Sequence, residues 1–339
     1  MKRKLLLLLV ALLPMVVLTT VTSCSKDDDI VQTPDDNGLQ IPEIVVTVND
    51  DGTTSNGSIF SAIDDKNFYV DYIKYTVEDG HLTVSGYDKD SFKGNAIIIS
   101  KLIYKGNTYN VLMIDKEAFQ ECTVLISVTI PNSITNISGG AFEDCSSLTS
   151  ITLPNSLTTI DGGTFKGCSS LTSINIPSSV ISIGYCAFQG CKGLTSVTIP
   201  NNVTNISGYA FFGCSSLTSI NIPNSVTSIN YCTFAYCSNL TSVSIPKSVK
   251  IIGAGAFYGC YGLTSITIGN SVKSIGDGAF HACTSLTDVY CLAEDVPDTN
   301  SSVFDNSPIS SATLHVPSGS VNAYKNAYPW SNFKTIVAI

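Results

Sequence analysis

Cys145-Ser146-Ser147-Leu148-Thr149-Ser150-Ile151-Thr152-Leu153-Pro154 recurs with small variations every 23 residues. Ile151 and Leu153 alternate with Thr152, as a strand with one buried face requires. Leu148 enters the same interior from the preceding bend. Pro154 lacks an N–H and fixes φ, so it ends the strand and begins a return. Further along the unit, Leu157 and Ile160 form a second inward pair, and Gly162-Gly163 permit a tight corner. Phe165 and Cys168 complete the interior. A single coil cannot bury this set. Stacking on neighbouring coils does so, at roughly 1.5–3 kcal/mol per large side chain.

The neighbours exist. Cys122, Cys145, Cys168, Cys191, Cys214, Cys237, Cys260 and Cys283 lie 23 residues apart, and Phe119 to Phe280, Leu125 to Leu286 and Ile114 to Ile275 keep the same beat. Pro131, Pro154, Pro177, Pro200, Pro223 and Pro246 follow the strands until Gly269 takes that place. The period lies in the leucine-rich-repeat range. The expected fold is a mainly β repeat solenoid over residues 122–291. The repeated phrase, with its Ala-Phe step as in Ala187-Phe188, resembles the BspA-like leucine-rich-repeat proteins of bacterial surfaces, strongly over about residues 97–291 and more weakly at both ends. Residues 58–121 read as a β-rich N-terminal cap and first incomplete coil. There Phe68 to Tyr87 makes a hairpin through a Glu78-Asp79-Gly80 turn. Residues 292–339, with Leu314 to Pro317, Ala323-Tyr324, Trp330, Phe333 and Ile336, read as the C-terminal cap. A stacked apolar core cannot end open to water. The resemblance implies a surface protein used for adhesion or recognition, with no chemistry common to the family.

The chain has 339 residues, 18 basic against 27 acidic, and a net charge of −9. Residues 25–121 hold eight Lys and eighteen acids, whereas residues 122–291 hold five of each. Arg3 is the only arginine, so the clustered cations of a nucleic-acid binder are missing. Lys2-Arg3-Lys4 and the apolar run from Leu5 to Leu18 read as a secretory signal over residues 1–23, too short to span a bilayer. Ser23-Cys24-Ser25 resembles a lipoprotein signal, which implies acylation of Cys24 and a membrane anchor. Ser25-Lys26-Asp27-Asp28-Asp29 resembles an acidic export tag, which implies an outer-membrane lipoprotein facing the cell exterior. A solvated acidic linker accounts for the same residues. Residues 24–57 are read as an acidic tether.

Chemistry has little support in the sequence. The ladder cysteines are expected to be small buried apolar groups, because parallel Cβ vectors oppose bridging between coils. Cys186 and Cys232 pair with Cys191 and Cys237 at a spacing that matches zinc sites poorly and leaves local disulfides open. Gly253 to Gly259 is a repeat corner rather than a phosphate loop. Asp88-Lys89-Asp90 lacks a third calcium ligand because Phe92 stands in its place. His81, His281 and His315 sit in no nucleophile motif. No enzyme activity, cofactor or metal is expected.

Two surfaces are candidates for binding a protein or glycan ligand. The outward strand positions are Thr149, Ser150 and Thr152; Thr172, Ser173 and Asn175; Thr195, Ser196 and Thr198; Thr218, Ser219 and Asn221. They form a hydroxyl and amide strip that the β-propensity of Thr also explains. The corners vary more and carry Tyr185, Tyr209, Phe212, Tyr231, Tyr236, Tyr258 and Tyr261. Variable loops on a rigid scaffold are where specificity is usually placed. A surface glycan-capture protein of an uptake system and a structural envelope protein are the alternative roles.

Overall fold

The structure, a computed structural model, describes residues 43–339. The signal segment, Cys24 and the first part of the expected tether lie outside the described residues. The body is a β-solenoid of stacked coils. Its outer ladder contains Ser127–Thr129, Ser150–Thr152, Ser173–Asn175, Ser196–Thr198, Ser242–Ser244, Ser265–Ile268 and Asp288–Cys291. Every pairing inside the repeats is parallel and joins residues 23 apart, as in Ser150↔Ser127 and Ile268↔Cys291. A second ladder runs through two-residue return strands from Asn136–Ile137 to Ser274–Ile275. Alternation sets the faces. Ile151, Ile174, Val197, Val243 and Ile266 are buried while their strand neighbours face solvent.

The phenylalanines form one column. From Phe119 to Phe280 successive centroids are 5.2–5.7 Å apart and the rings are within 16° of parallel. Tyr87 stacks on Phe119 at one end, and Phe304 stacks on Phe280 at the other. From Cys145 onward each ladder thiol donates to a carbonyl of the preceding coil. Cys145 Sγ reaches Phe119 O at 3.0 Å and Cys214 Sγ reaches Phe188 O at 3.2 Å, and the pattern continues to Cys283. Cys fits this place because it is small, apolar and still a weak donor. All cysteines among the described residues are free, including Cys186, Cys191, Cys232 and Cys237.

Both ends are closed. The Phe68–Tyr87 region is larger than a hairpin: Phe60–Ala62, Asn67–Val70, Ile73–Glu78 and His81–Tyr87 form an antiparallel meander. Asn107–Ile114 then pairs in parallel with His81–Tyr87 on one side and with Asn136–Ile137 of the return ladder on the other. The cap sheet thereby becomes the first rung of the solenoid. Val45–Thr47 pairs with Lys101–Ile103, and Val46 is fully buried. The folded body therefore reaches into residues 24–57, and at least residues 45–47 are strand rather than tether. At the C-terminus Thr313–Val316 and Thr335–Ala338 add two parallel rungs to the outer ladder. Trp330, fully buried, meets Phe304 and Tyr324 edge to face and seals the column.

Candidate ligand-binding surfaces

The outward strand positions are exposed as expected, from Thr149 to Asn221. Their hydroxyls are not equivalent. Thr149 Oγ1 donates to Ile126 O, Thr195 Oγ1 to Thr172 O and Thr218 Oγ1 to Thr195 O, at 3.1, 3.2 and 3.4 Å. Thr241, Thr264 and Thr287 repeat the contact further along. These threonines tie one coil to the next, so part of the strip belongs to the scaffold. The strip is also interrupted. Ser219 to Asn221 form no strand, and only an isolated bridge joins Ser219 to Ser242.

The corners differ in kind along the solenoid. Early coils carry charge there: Lys166 Nζ lies 2.6 Å from Glu143 Oε1, and Gln120 Nε2 donates to Glu143 Oε2 at 3.2 Å. Later coils carry rings in contact. Tyr209 meets Tyr185 at 5.4 Å, Tyr231 at 5.1 Å and Phe212 at 5.4 Å. Phe212 meets Tyr236 at 5.2 Å and Tyr236 meets Tyr258 at 5.3 Å. His281 continues the ridge, stacked on Tyr258 at 4.5 Å with its Nε2 3.1 Å from Asn306 Nδ2. His281, which lies in no nucleophile motif, is thus part of the aromatic ridge. Tyr185 is 58% exposed and Tyr231 52%. Tyr261 is exposed close by. A hydrogen bond with the Tyr231 hydroxyl, together with burial, holds the Tyr209 phenol above its ordinary pKa.

The backbone under this ridge follows a corner pattern shared along the solenoid. Two positions in each coil take left-handed conformation. The first holds Gly140, Gly163, Gly255 and Gly278 but Cys186, Tyr209 and Cys232 in between. The second holds Gly167, Gly190, Gly213 and Gly259 but Glu121, Asp144, Tyr236 and Ala282 in the other coils. Glycine takes these angles without steric cost, whereas an L side chain pays roughly 1–2 kcal/mol. Tyr209 at φ 57° and Tyr236 at φ 59° therefore place aromatic rings where the corner favours glycine. Glu117, Glu121, Asp144 and Ala282 hold the same angles in other coils, so the ridge is set apart by the size of the rings placed there rather than by the backbone alone.

Between Tyr185 and Tyr231 lies an open depression of about 400 Å³, lined also by Ser207, Gly208 and Asn230. A side chain at Gly208 would bring its Cβ to 3.0 Å from Tyr231 O, so glycine keeps the floor low. Asn205 Nδ2 donates to Ser207 Oγ at 3.1 Å, and Asn230 Nδ2 donates to Ile206 O at 2.6 Å. The Tyr185, Gly208, Tyr231 series occupies one repeat position, so the aligned coils mark where this depression falls.

Asp88, His315 and Cys186, which carry no site motif in the sequence, lie among local partners. Asp88 Oδ1 accepts the Asp90 amide in a local turn. His315 pairs with Asp288 at 3.0 Å and stacks on Tyr290. Burial raises the Cys186 thiol above its ordinary pKa, with Lys166 the main opposing influence. Among the described residues no group of three or more His, Cys, Asp or Glu side chains is placed to hold a metal ion.

The chain matches the BspA type leucine rich repeat region in six copies, over residues 89–218 and 204–333. It is 29% identical to a leucine-rich repeat protein from Bacteroides ovatus, covering 80% of this chain and 76% of that one with a TM-score of 0.66. A leucine rich repeat protein from T. pallidum is 31% identical over 57% of this chain and 88% of its own, with a TM-score of 0.49. A leucine rich cell surface protein from Faecalibacterium prausnitzii is 21% identical over 82% of this chain and 96% of its own, with a TM-score of 0.40. No curated protein shows significant similarity. The matched repeats, the Phe column and the parallel 23-residue register agree, and the chain belongs to the BspA-type leucine-rich-repeat family.

Proposed function

We propose that this chain is a non-enzymatic surface protein that recognises or adheres to macromolecules through the aromatic corners of its later coils. The observation that carries this reading is the connected ridge from Tyr185 to Tyr258, built partly on left-handed tyrosines. Exposed tyrosines offer large, rigid contact area at low entropic cost, and aromatic residues are favoured at the centres of interfaces. The strand strip is the weaker candidate, because its first threonines serve the scaffold. Residues around Cys24 support a lipid anchor and display on the outer face of an outer membrane.

The test is binding of the purified chain to a panel of glycans and extracellular-matrix proteins. It is run beside a Phe212→Ala/Tyr236→Ala variant and a variant carrying Thr172→Lys, Thr195→Lys and Thr218→Lys. Selective binding lost only in the first variant supports the corner reading. Loss only in the second moves the site to the strand face, and no binding to any member of the panel favours a structural envelope role. Labelling of the chain on intact cells by a membrane-impermeant reagent tests the outward orientation.

A further inference from the structure

We infer that the outer edge of Phe60–Ala62, in the N-terminal cap, is a docking site for an extended basic segment of a partner protein, which joins the sheet as one more strand. The site belongs to the cap and needs no ligand at the aromatic corners. Ile59 O accepts from Asp71 N, and Ile63 N donates to Asn67 O, so positions 59, 61 and 63 turn their backbone groups toward Asn67–Val70. Phe60 and Ala62 direct theirs the other way. Among the described residues no N–H or C=O of these two has a partner. The opposite edge of the sheet is covered by the chain itself: Val48 bridges Thr54, and Ser55 N donates to Thr47 O. An uncovered edge is the template on which strand addition works.

The face that a further strand would cover is apolar and unfinished. Val70 and Phe68, the cross-strand partners of Phe60 and Ala62, are buried, whereas Phe60 is half-buried and Ala62 exposed. The sheet curls until Phe60 meets Tyr104 at 5.1 Å, although four strands separate them in the sheet order. An open depression of about 250 Å³ is lined there by Val48, Asp50, Gly52, Phe60, Tyr104 and Lys105. Alternate side chains of an added strand face the same way as Phe60 and Ala62, so aliphatic ones would take both out of water. Charge names the partner. Over residues 50–74 five aspartates stand against two lysines, and none of the five forms an ion pair among the described residues. The Thr53 hydroxyl and the Lys66 amide hold the Asp51 and Asp64 carboxyls below their ordinary pKa, which keeps them anionic. The chain's own N-terminal segment, with Asp27, Asp28, Asp29, Asp35 and Asp36, carries the same sign and is disfavoured here. The complementary strand is basic at its ends and aliphatic at alternate positions.

The experiment is fluorescence anisotropy of a labelled peptide, KKVTVTVKK, titrated with the full chain at low salt. EEVTVTVEE reverses its charge, and KKVTPTVKK places a proline in the strand. Amide exchange read by mass spectrometry locates the contact. The expected result is micromolar binding that weakens about tenfold or more for either comparator, falls with added salt and slows exchange across residues 58–63. Ala62→Pro removes an N–H that the fold does not use, so it should lower affinity about tenfold with circular dichroism unchanged. Asp50→Asn/Asp65→Asn should lower it about threefold without touching the strand. Phe212→Ala/Tyr236→Ala should leave it unaltered, which separates this site from the corners. The inference is overturned if KKVTVTVKK does not bind, if exchange slows elsewhere but not at residues 58–63, if EEVTVTVEE binds as tightly, or if binding survives in both the Ala62→Pro and the aspartate variants. Self-association of the chain that Ala62→Pro abolishes would also overturn it, by making a second copy the occupant of the edge.

Discussion

Phe188→Ala tests the column at its middle. Phe188 is fully buried, with Phe165 stacked at 5.5 Å and Phe211 at 5.2 Å. A buried aromatic ring withdraws about 150–250 Å² from water, which at about 25 cal/mol per Å² is roughly 4–6 kcal/mol. Phe→Ala substitutions in packed cores generally lose about 3–5 kcal/mol, and here two ring contacts go at once. A loss near 4–5 kcal/mol is therefore expected in urea unfolding. Because each coil touches only its neighbours, the damage should also be local. Amide exchange should accelerate around Phe165, Phe188 and Phe211 and change little near Trp330. Phe188→Leu, which keeps most of the volume, should cost about 1–2 kcal/mol. A loss below about 1 kcal/mol for Phe188→Ala, with exchange unaltered, would show that the rings do not act as a stacked core and would refute the coil account.

Two further outcomes follow from the buried polar groups. Ser179 Oγ donates to Leu157 O at 2.6 Å, whereas Ser248 Oγ is buried without a partner among the described residues. Ser179→Ala should lose about 1 kcal/mol and Ser248→Ala should be neutral or slightly stabilising, as read by unfolding midpoints. Burial pushes Cys191, Cys237 and Cys283 up to about 12 from an ordinary value near 9. A raised folded pKa contributes stability that is complete below the unfolded value and is lost as pH rises through the window from about 9 to 12. These three thiols alone imply a fall of about 4 kcal/mol per pH unit there. Thiolate absorbance should accordingly appear in step with unfolding, and a folded chain with ionised ladder thiols at pH 10 would contradict the burial argument.

The coil was legible because several residue types share one period, and a shared period in a stacked fold converts directly into register. Ile268 beside Cys291 and the Phe ladder both followed from spacing. Tyr87 and Phe304 did not, because they stand off the 23-residue beat and join the column only after the caps have folded. Val45 to Val48 has the β-branched composition of a strand, but Asp50 and Asp51 beside it suggested solvated chain. Its partner Lys101–Ile103 is more than fifty residues away, a distance that local patterning does not see. The surface chemistry was half legible. Exposure of the threonines and tyrosines could be read from alternation. The commitment of the Thr195 hydroxyl to Thr172 O depends on where the neighbouring coil places its carbonyl, whereas the depression at Gly208 is marked by the Tyr185, Gly208, Tyr231 series.

Whether the ridge is tolerated or favoured by the scaffold can be decided at Tyr209. If left-handed backbone strains this residue, replacing its side chain by hydrogen must relieve more than replacing it by methyl. Ala retains a Cβ and the associated cost of roughly 1–2 kcal/mol, whereas Gly loses about 0.5–1 kcal/mol in chain entropy. Tyr209→Gly should therefore be more stable than Tyr209→Ala by about 0.5–1 kcal/mol. Tyr231 provides the internal comparison, since it belongs to the same cluster but its φ is not positive. There the order should reverse, with Tyr231→Ala more stable than Tyr231→Gly by about the same amount. Ligand binding should weaken in both Tyr209 variants whichever is the more stable. That separation is the point of the pair: a ring kept for packing would make binding follow stability, and a ring kept for recognition would not. If Tyr209→Ala proves the more stable of the two, the strain argument fails, and the ridge loses the feature that sets it apart from ordinary exposed tyrosines.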